Sequence, residues 1–515
     1  MVGVLTITGA LLRVLFINQF PPGLAGDEAD MGLEARRILQ TGWIGIWSNS
    51  GWGQPAGGFY WTAFLFSFLP DTNTILRLST AIIGIATIPV FYLFVRTLYG
   101  KRPAVIATCL LVFSYWHIHY SRAAYTLTWV PLMESAILVF LGKGIKDRTT
   151  WPFVVSGVLA GIAIYTYRGY VFFPILLAGL WLFLLIRRAY PFKRFAIHAI
   201  AFALPFLLLA IPMVHFVTER YGDYMGHYKV LTSPFNSDTY KQAVKDGKQL
   251  QFMAGKVRRA VSVYYVGRGP DFTDGMGTKP LLDPITRGLF TIGFGVAIWH
   301  LRRWQYILIL GGVAIGIFAL ATTIEWGENR RGIVALPMVF VAAGIGGHIL
   351  LSLFERLFRR FVQPWRTYLR VGLGYPCLVA AFLFVAAWNS RVYFKDIGPS
   401  EMARFAYAYE MSLASTYLRS LQDENPYVYF YTPRWSWDYE VRRFVVPGLK
   451  GENRSREHGK FSLEKPADLE RVVFLVMPPY DQYLPEIRRL YPGGQYHEVR
   501  EDNRLLFAAY HIQGK

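Results

Sequence analysis

The chain has 515 residues, of which 53% are hydrophobic, 17% aromatic and only 17% charged. A soluble domain carries roughly 25% charged residues, so the composition excludes an ordinary soluble protein. A net charge of +20 would suggest nucleic acid in a soluble chain, but here the basic residues concentrate in short loops between apolar runs, where they set membrane orientation.

Those apolar runs, each of about 17–22 residues, predict about eleven membrane-spanning helices. The first covers residues 2–17. It has no basic segment before it, so it reads as a retained span and not as a signal peptide, despite the small residues in Leu24-Ala25-Gly26. Residues 18–74 form a long loop rich in Gly, Pro and Trp. Its apolar stretch 58–69 is too short to cross and is expected to lie along the interface as an aromatic-faced helix. Further spans are predicted at 75–98, 103–119, 128–142, 151–166, 170–186, 195–217, 284–301, 304–323, 332–354 and 369–389.

Charge orients the bundle. Basic loops carry Lys101-Arg102, then Lys143, Lys146 and Arg148, then Arg187-Arg188 with Lys193-Arg194, then Arg302-Arg303. A last basic stretch holds Arg356, Arg359, Arg360, Arg366 and Arg370. All fall on one side, and positive residues mark the cytoplasmic face. Loop 18–74, loop 217–284 and the tail then face outward.

Residues 391–515 differ in kind. Ser400 can cap an amphipathic helix running to about Leu421. Residues 427–431, 472–476 and 505–510 read as strands, with a helix at 483–490 between the last two. The expected fold class is an all-α polytopic membrane domain, residues 1–390, followed by a small soluble extracytoplasmic α/β domain, residues 391–515. Cys109 and Cys377 both fall inside predicted spans, so neither a disulfide framework nor a cysteine-rich metal site is available.

Chemistry concentrates at the outer ends of the spans. Asp27-Glu28 lies just past the first span, where a low-dielectric boundary raises a carboxyl pKa and suits a general base. Adjacent loop residues rarely point at one place, so one of the two acts and the other supports it. The structural alternative makes Asp27 the N-cap of a helix beginning at Glu28, with Asp30 and Glu34 as surface charges. Arg122, in the turn Trp116-His117-Ile118-His119-Tyr120-Ser121-Arg122, can grip a phosphate bidentately or snorkel to lipid head groups. His117 and His119, two residues apart, face different ways on a helix and do not form a two-histidine metal site. Arg168 stands among tyrosines in the next outward turn, and Arg330 and Arg331 follow the acids Glu325 and Glu328 in a third. Arginines converging on one leaflet suit a phosphate or pyrophosphate, although anionic lipids would also attract them. Glu134 lies within a span, where a charged carboxylate costs roughly 2.5–3.5 kcal/mol. It either serves function or glues helices, with Arg13 or Arg77 as candidate partners. Phosphate-loop, dinucleotide, zincin and nucleophile-elbow motifs are all missing.

Several stretches together resemble a known group. They are Pro21-Pro22-Gly23-Leu24-Ala25-Gly26-Asp27-Glu28-Ala29, Gln54-Pro55-Ala56-Gly57-Gly58-Phe59-Tyr60-Trp61 and Arg77-Leu78-Ser79-Thr80-Ala81-Ile82-Ile83-Gly84. Next come His119-Tyr120-Ser121-Arg122, Thr166-Tyr167-Arg168 and Pro280-Leu281-Leu282-Asp283-Pro284, then Asn329-Arg330-Arg331 through Pro337. In this order they resemble the GT-C membrane glycosyltransferases of the bacterial protein mannosyltransferase and aminoarabinose transferase type, glycosyltransferase family 39. The resemblance implies sugar transfer, with inversion, from a polyprenyl-phosphate donor to a lipid, glycan or protein acceptor at the outer face. It makes Asp27 the base that deprotonates the acceptor and Glu28 its acidic companion. Arg122, Arg168, Arg330 and Arg331 would hold the donor phosphate, with Tyr60, His119, Glu134, Glu325 and Glu328 in support. Some relatives carry a second acid near Arg122, where this chain has Ala123-Ala124-Tyr125-Thr126; the supporting carboxylate is either missing or supplied by Glu325 or Glu328. No cofactor or metal is indicated by the sequence, and a divalent metal stays compatible with it. Nucleic acid is not an expected partner.

The reading is therefore an integral membrane glycosyltransferase, multi-pass in a bacterial plasma membrane. The rival is a polytopic transporter or lipid flippase. A transporter places its site near the midplane between inverted repeats, and no repeat is present here.

Overall fold

The computed structural model describes residues 1–188, 191–227, 234–267, 274–276, 278–322, 329–361, 367–464 and 471–512. Helix α1 (Val2–Val14) opens the chain. Helix α2 (Gly26–Thr41) lies on the following loop, with a two-strand ribbon β1 (Trp47–Ser48) and β2 (Gln54–Pro55) and the short apolar helix α3 (Gly57–Phe66). Then come α4 (Asn73–Tyr99), α5 (Lys101–Phe113), α6 (Tyr115–Arg122), α7 (Trp129–Asp147), α8 (Trp151–Ala163), α9 (Phe172–Ile186) and α10 (Phe192–Glu219). Loop 217–284 holds α11 (Tyr221–His227), α12 (Asp238–Lys245) and α13 (Gln249–Ser262). The bundle ends with α14 (Pro284–Trp299), α15 (Trp304–Ala321), α16 (Leu336–Phe361) and α17 (Thr367–Arg391).

Seven of the described helices are long and apolar enough to cross a membrane, and α5 with α6 forms an eighth, bent by 56° at Ser114. Three shorter apolar helices, α1, α8 and α14, stand where the sequence predicts further spans. Close helix approach rests on small residues, the usual solution where lipid removes the hydrophobic drive between helices. Gly293 of α14 packs on the backbone of Ala342, and Gly346 of α16 on that of Leu289. A side chain at either position would collide with main chain.

The tail folds into a five-stranded sheet of order β4-β3-β5-β7-β6. Its strands are β3 (Tyr427–Tyr431), β4 (Gly451–Asn453), β5 (Val472–Val476), β6 (Gln495–Glu501) and β7 (Arg504–Ile512). β3 pairs in parallel with β4 and β5, whereas β7 runs antiparallel to β5 and β6. Central β5, Val-Val-Phe-Leu-Val, is buried at every position, as a strand covered on both faces should be. Around the sheet lie α18 (Glu401–Ala406), α19 (Tyr409–Ser420), α20 (Glu440–Val445) and α21 (Leu484–Leu490).

Two expectations need correction. The helix capped by Ser400 is not continuous to Leu421. It breaks at Ala408, whose φ of 41° no helix tolerates, so that Tyr407 can bury its ring and bring its hydroxyl 3.1 Å from His119 Nε2. Strands β4 and β6 were not expected, because β4 is three residues long and β6, Gln-Tyr-His-Glu-Val-Arg-Glu, is a polar edge.

The tail does not stand apart from the bundle. One apolar cluster joins Leu24, Ala29, Ala35 and Phe59 to Leu418, Trp437, Phe444 and Val473. Helix α2 is thus sandwiched between the bundle and the sheet domain, and whatever its first turn carries is held from both sides.

Candidate active site

Helix α2 begins two residues earlier than an Asp27 cap requires. Gly26 is its first residue, so Asp27 stands inside the first turn and does not cap it. The capping contact comes from Glu28, whose Oε2 accepts the Ala25 amide at 3.0 Å. Both acids also face the positive end of the helix dipole. Relieved of the cap, the Asp27 side chain remains 54% exposed.

Opposite it stands Arg330, on a 3₁₀ turn (Asn329–Ala335) that leads into α16. Arg330 Nη1 lies 2.7 Å from Asp27 Oδ2, and Nε lies 3.4 Å from Oδ1 of the fully buried Asp274. Asp274 Oδ2 accepts a hydrogen bond from the Tyr120 hydroxyl at 2.8 Å. The Arg330 guanidinium also lies 5.6 Å from the Tyr125 ring centre. An exposed carboxylate therefore meets a guanidinium that a buried carboxylate holds in place.

Glu28 has a different environment. It is fully buried and forked onto Arg77, with Nε 3.0 Å from Oε1 and Nη2 2.9 Å from Oε2. Its Oε1 also accepts the Ala124 amide at 2.9 Å. Arg77 donates further to the carbonyls of Ile17, Pro21 and Gly23. The pair ties the loop after α1, the head of α2 and the turn after α6 into one unit, and Glu28 is saturated by that work.

Arg122 and Arg168 do not join Arg330. Arg122 donates to the carbonyls of Leu12, Leu15, Phe16 and Phe20, which makes it the donor that satisfies the carbonyl end of α1. Arg168 donates to the Gly53 carbonyl and lies 5.0 Å from the Trp47 ring centre. Arg331 sits half-buried beside Arg330 on the same turn. Tyr60 accepts the Ile44 amide and donates to the Gly45 carbonyl, fastening the loop after α2. His119 meets Tyr407. Glu134 is buried with both oxygens lacking a hydrogen-bond partner among the described residues. Neither suggested partner reaches it, because Arg13 lies 2.6 Å from His117 Nδ1 and Arg77 is bound to Glu28. Glu325 and Glu328 lie outside the described residues.

Sequence reasoning missed three groups. Asp274, from loop 217–284, places a second acid beside Arg330. Tyr439 of the tail reaches α2, its hydroxyl 2.9 Å from where a Cβ on Gly26 would stand. Burial, then Glu440 and Asp27, push that phenol up to about 12. Asp30, a surface charge only in the structural alternative, bonds the Ser50 hydroxyl; burial raises its pKa to about 6 against that bond, with Asp27, Glu440 and Glu34 adding to the rise. Among the described residues, no group of three or more His, Cys, Asp or Glu side chains is placed to hold a metal ion.

A bundle of apolar helices with an exposed carboxylate at the head of a loop helix, closed by a sheet domain, fits one class, the integral membrane glycosyltransferases of GT-C fold. Comparison with curated protein sequences gives no match. The chain belongs to the oligosaccharyl transferase STT3 family, whose N-terminal profile matches residues 56–344, more than half of it. That match begins beyond Asp27. Among solved structures, the fold is similar to ArnT from Cupriavidus metallidurans bound to undecaprenyl phosphate, with a TM-score of 0.55 and 14% identity over 98% of this chain and 97% of that one. The Archaeoglobus fulgidus oligosaccharyltransferase in its apo form gives 0.54 and 14% over 87% of this chain and 64% of its own. The same organism's AglB, in complex with an inhibitory peptide and a dolichol-phosphate, gives 0.50 and 14% over 98% and 73%.

Proposed function

We propose that the protein transfers a sugar, with inversion, from a polyprenyl-phosphate carrier to an acceptor hydroxyl on the outer face of a bacterial plasma membrane. The observation that carries this is the Asp27–Arg330 contact at the head of α2. Two proteins of similar fold, at 14% identity, hold undecaprenyl phosphate and dolichol-phosphate, which supports a lipid-phosphate carrier. The basic loops on the opposite side support an outward-facing site and tail.

In this reading Asp27 accepts the acceptor's hydroxyl proton as the acceptor oxygen bonds to the anomeric carbon. The bond from that carbon to the phosphate oxygen breaks on the opposite face, and its electron pair leaves with the polyprenyl phosphate. Arg330 is the cation next to that developing charge, pre-oriented by Asp274. Glu28, Arg77 and Arg122 position the loop that carries Asp27 and do not touch substrate. We place the boundary between the membrane domain and the tail near residue 390.

The test is transfer of radiolabelled sugar from a panel of polyprenyl-phosphate donors by purified protein, wild type beside Asp27→Asn. A fall of about 10²–10⁴-fold with an unchanged thermal melt supports the base assignment. Unaltered turnover moves the base elsewhere. Wild-type protein that consumes no donor but moves labelled lipid across liposomes restores the flippase reading.

A further inference from the structure

We propose that Tyr125 is a further catalytic residue, its hydroxyl donating a hydrogen bond to the carrier phosphate beside Arg330. The proposal rests on the transferase reading above and deepens it.

Tyr125 is held rigidly from both sides. The Ala124 amide donates to Glu28, the Ala123 carbonyl accepts from Thr80, and the Thr128 hydroxyl donates to the Tyr120 carbonyl. The ring packs against the Arg330 guanidinium at 5.6 Å and lies 6.5 Å from the Tyr120 ring. Tyr125 is only 5% exposed, yet its hydroxyl has no hydrogen-bond partner among the described residues. Two tyrosines beside it differ in this respect. Tyr120 is bonded to Asp274 and Tyr407 to His119.

The charges that act on this hydroxyl are those of Asp274, Glu28, Arg330 and Asp27. Three of them are carboxylates, and none accepts a hydrogen bond from it. Asp27 faces Arg330, Asp274 takes Tyr120 and Arg330, and Glu28 takes Arg77 with two backbone amides. Burial first, then the nearby carboxylates, keep the phenol protonated and therefore a donor. A buried donor without an acceptor costs free energy, and folds retain one where a ligand completes it. The acceptor that fits is an oxygen of an anion beside the guanidinium, and the phosphate of the carrier is the anion the reaction supplies. Arginine and phenol would then share one phosphate, the phenol adding a donor whose direction the turn fixes.

The experiment uses full-length protein in detergent and measures binding of undecaprenyl phosphate and of undecaprenol, together with sugar transfer, for wild type and Tyr125→Phe. Losing a hydrogen bond to a charged group should weaken undecaprenyl phosphate binding roughly 10-fold or more. Undecaprenol binding should not change, so the preference for the phosphate falls by the same factor, and transfer slows at least as much. The melting temperature without lipid should stay level or rise, because the hydroxyl has nothing to lose. Equal phosphate preference and equal transfer in the variant overturn the proposal while leaving the transferase reading intact. A lower melting temperature with unchanged preference assigns the hydroxyl a structural role and also overturns it. Wild-type protein that neither binds undecaprenyl phosphate nor transfers sugar removes the transferase reading itself, and the proposal with it.

Discussion

Asp27 and Glu28 are neighbours in sequence with opposite fates, and the difference is burial. Glu28 is sealed against Arg77, so removing it leaves a guanidinium buried without its counter-charge. Loss of one partner of such a pair costs about 3–5 kcal/mol. Glu28→Ala should therefore melt far below wild type in detergent, whereas Asp27→Asn should melt with it; equal melting of the two would refute this division of roles. Asp30 makes a pH prediction. Its folded pKa of about 6 lies above the unbound value of 3.8, so between those values the native state holds more protons than the unfolded one. Stability from this group is complete below about pH 4 and is lost as pH rises through about 6. Asp30→Asn should flatten the fall in melting temperature over that range, and an unchanged slope would assign the slope to other groups. The arginines show what one residue in a sequence cannot reveal. An arginine at the end of a span looks the same whether phosphate or carbonyl awaits it. Arg122 meets four carbonyls from residues 12–20, a convergence created by the turn after α1, and no spacing rule encodes it.

At the scale of elements, α2 carries the proposed base, and glycines set how closely its neighbours approach. A side chain on Gly32 would strike the Phe444 ring of α20. The same helix is gripped by Arg36, which donates to the Phe444 carbonyl at 2.7 Å and lies 4.3 Å from its ring centre. Gly32→Val should push α20 away at a cost of about 1–3 kcal/mol. Because α2 carries Asp27, transfer should fall further than stability alone explains, read as a drop in kcat at a temperature where the variant is fully folded. A variant with normal kcat would show that α2 tolerates movement of the tail. Spans were legible because bilayer thickness imposes a length that apolar runs display directly. Their breaks were not. Ser114 and Ala408 lie inside runs that read as continuous, and each bend answers a partner far away in sequence, the Asn389 side chain on the Tyr115 amide and His119 on Tyr407. Asp274 was invisible for the same reason, since its partners Tyr120 and Arg330 sit on elements that only the folded bundle brings together.

For the whole molecule, the shared core between tail and loop helices bears on assembly. The tail cannot bury Leu418, Trp437 and Phe444 without Leu24, Ala29 and Phe59, so residues 391–515 expressed alone should lack a cooperative melt. Side is the remaining global property, and it can be measured directly. With Cys377 replaced by Ser, the remaining Cys109 is buried and unreactive to a polar probe. A single cysteine can then be placed at exposed Lys146, in a basic loop, or at exposed Asp423, in the tail. If positive residues mark the cytoplasmic face, a membrane-impermeant maleimide added to intact cells should label Asp423→Cys and leave Lys146→Cys untouched until the membrane is opened. The converse pattern would put the Asp27–Arg330 site in the cytoplasm, where a carrier-linked sugar displayed outward could not reach it. Labelling therefore tests the direction of the whole reaction as well as the orientation of the chain.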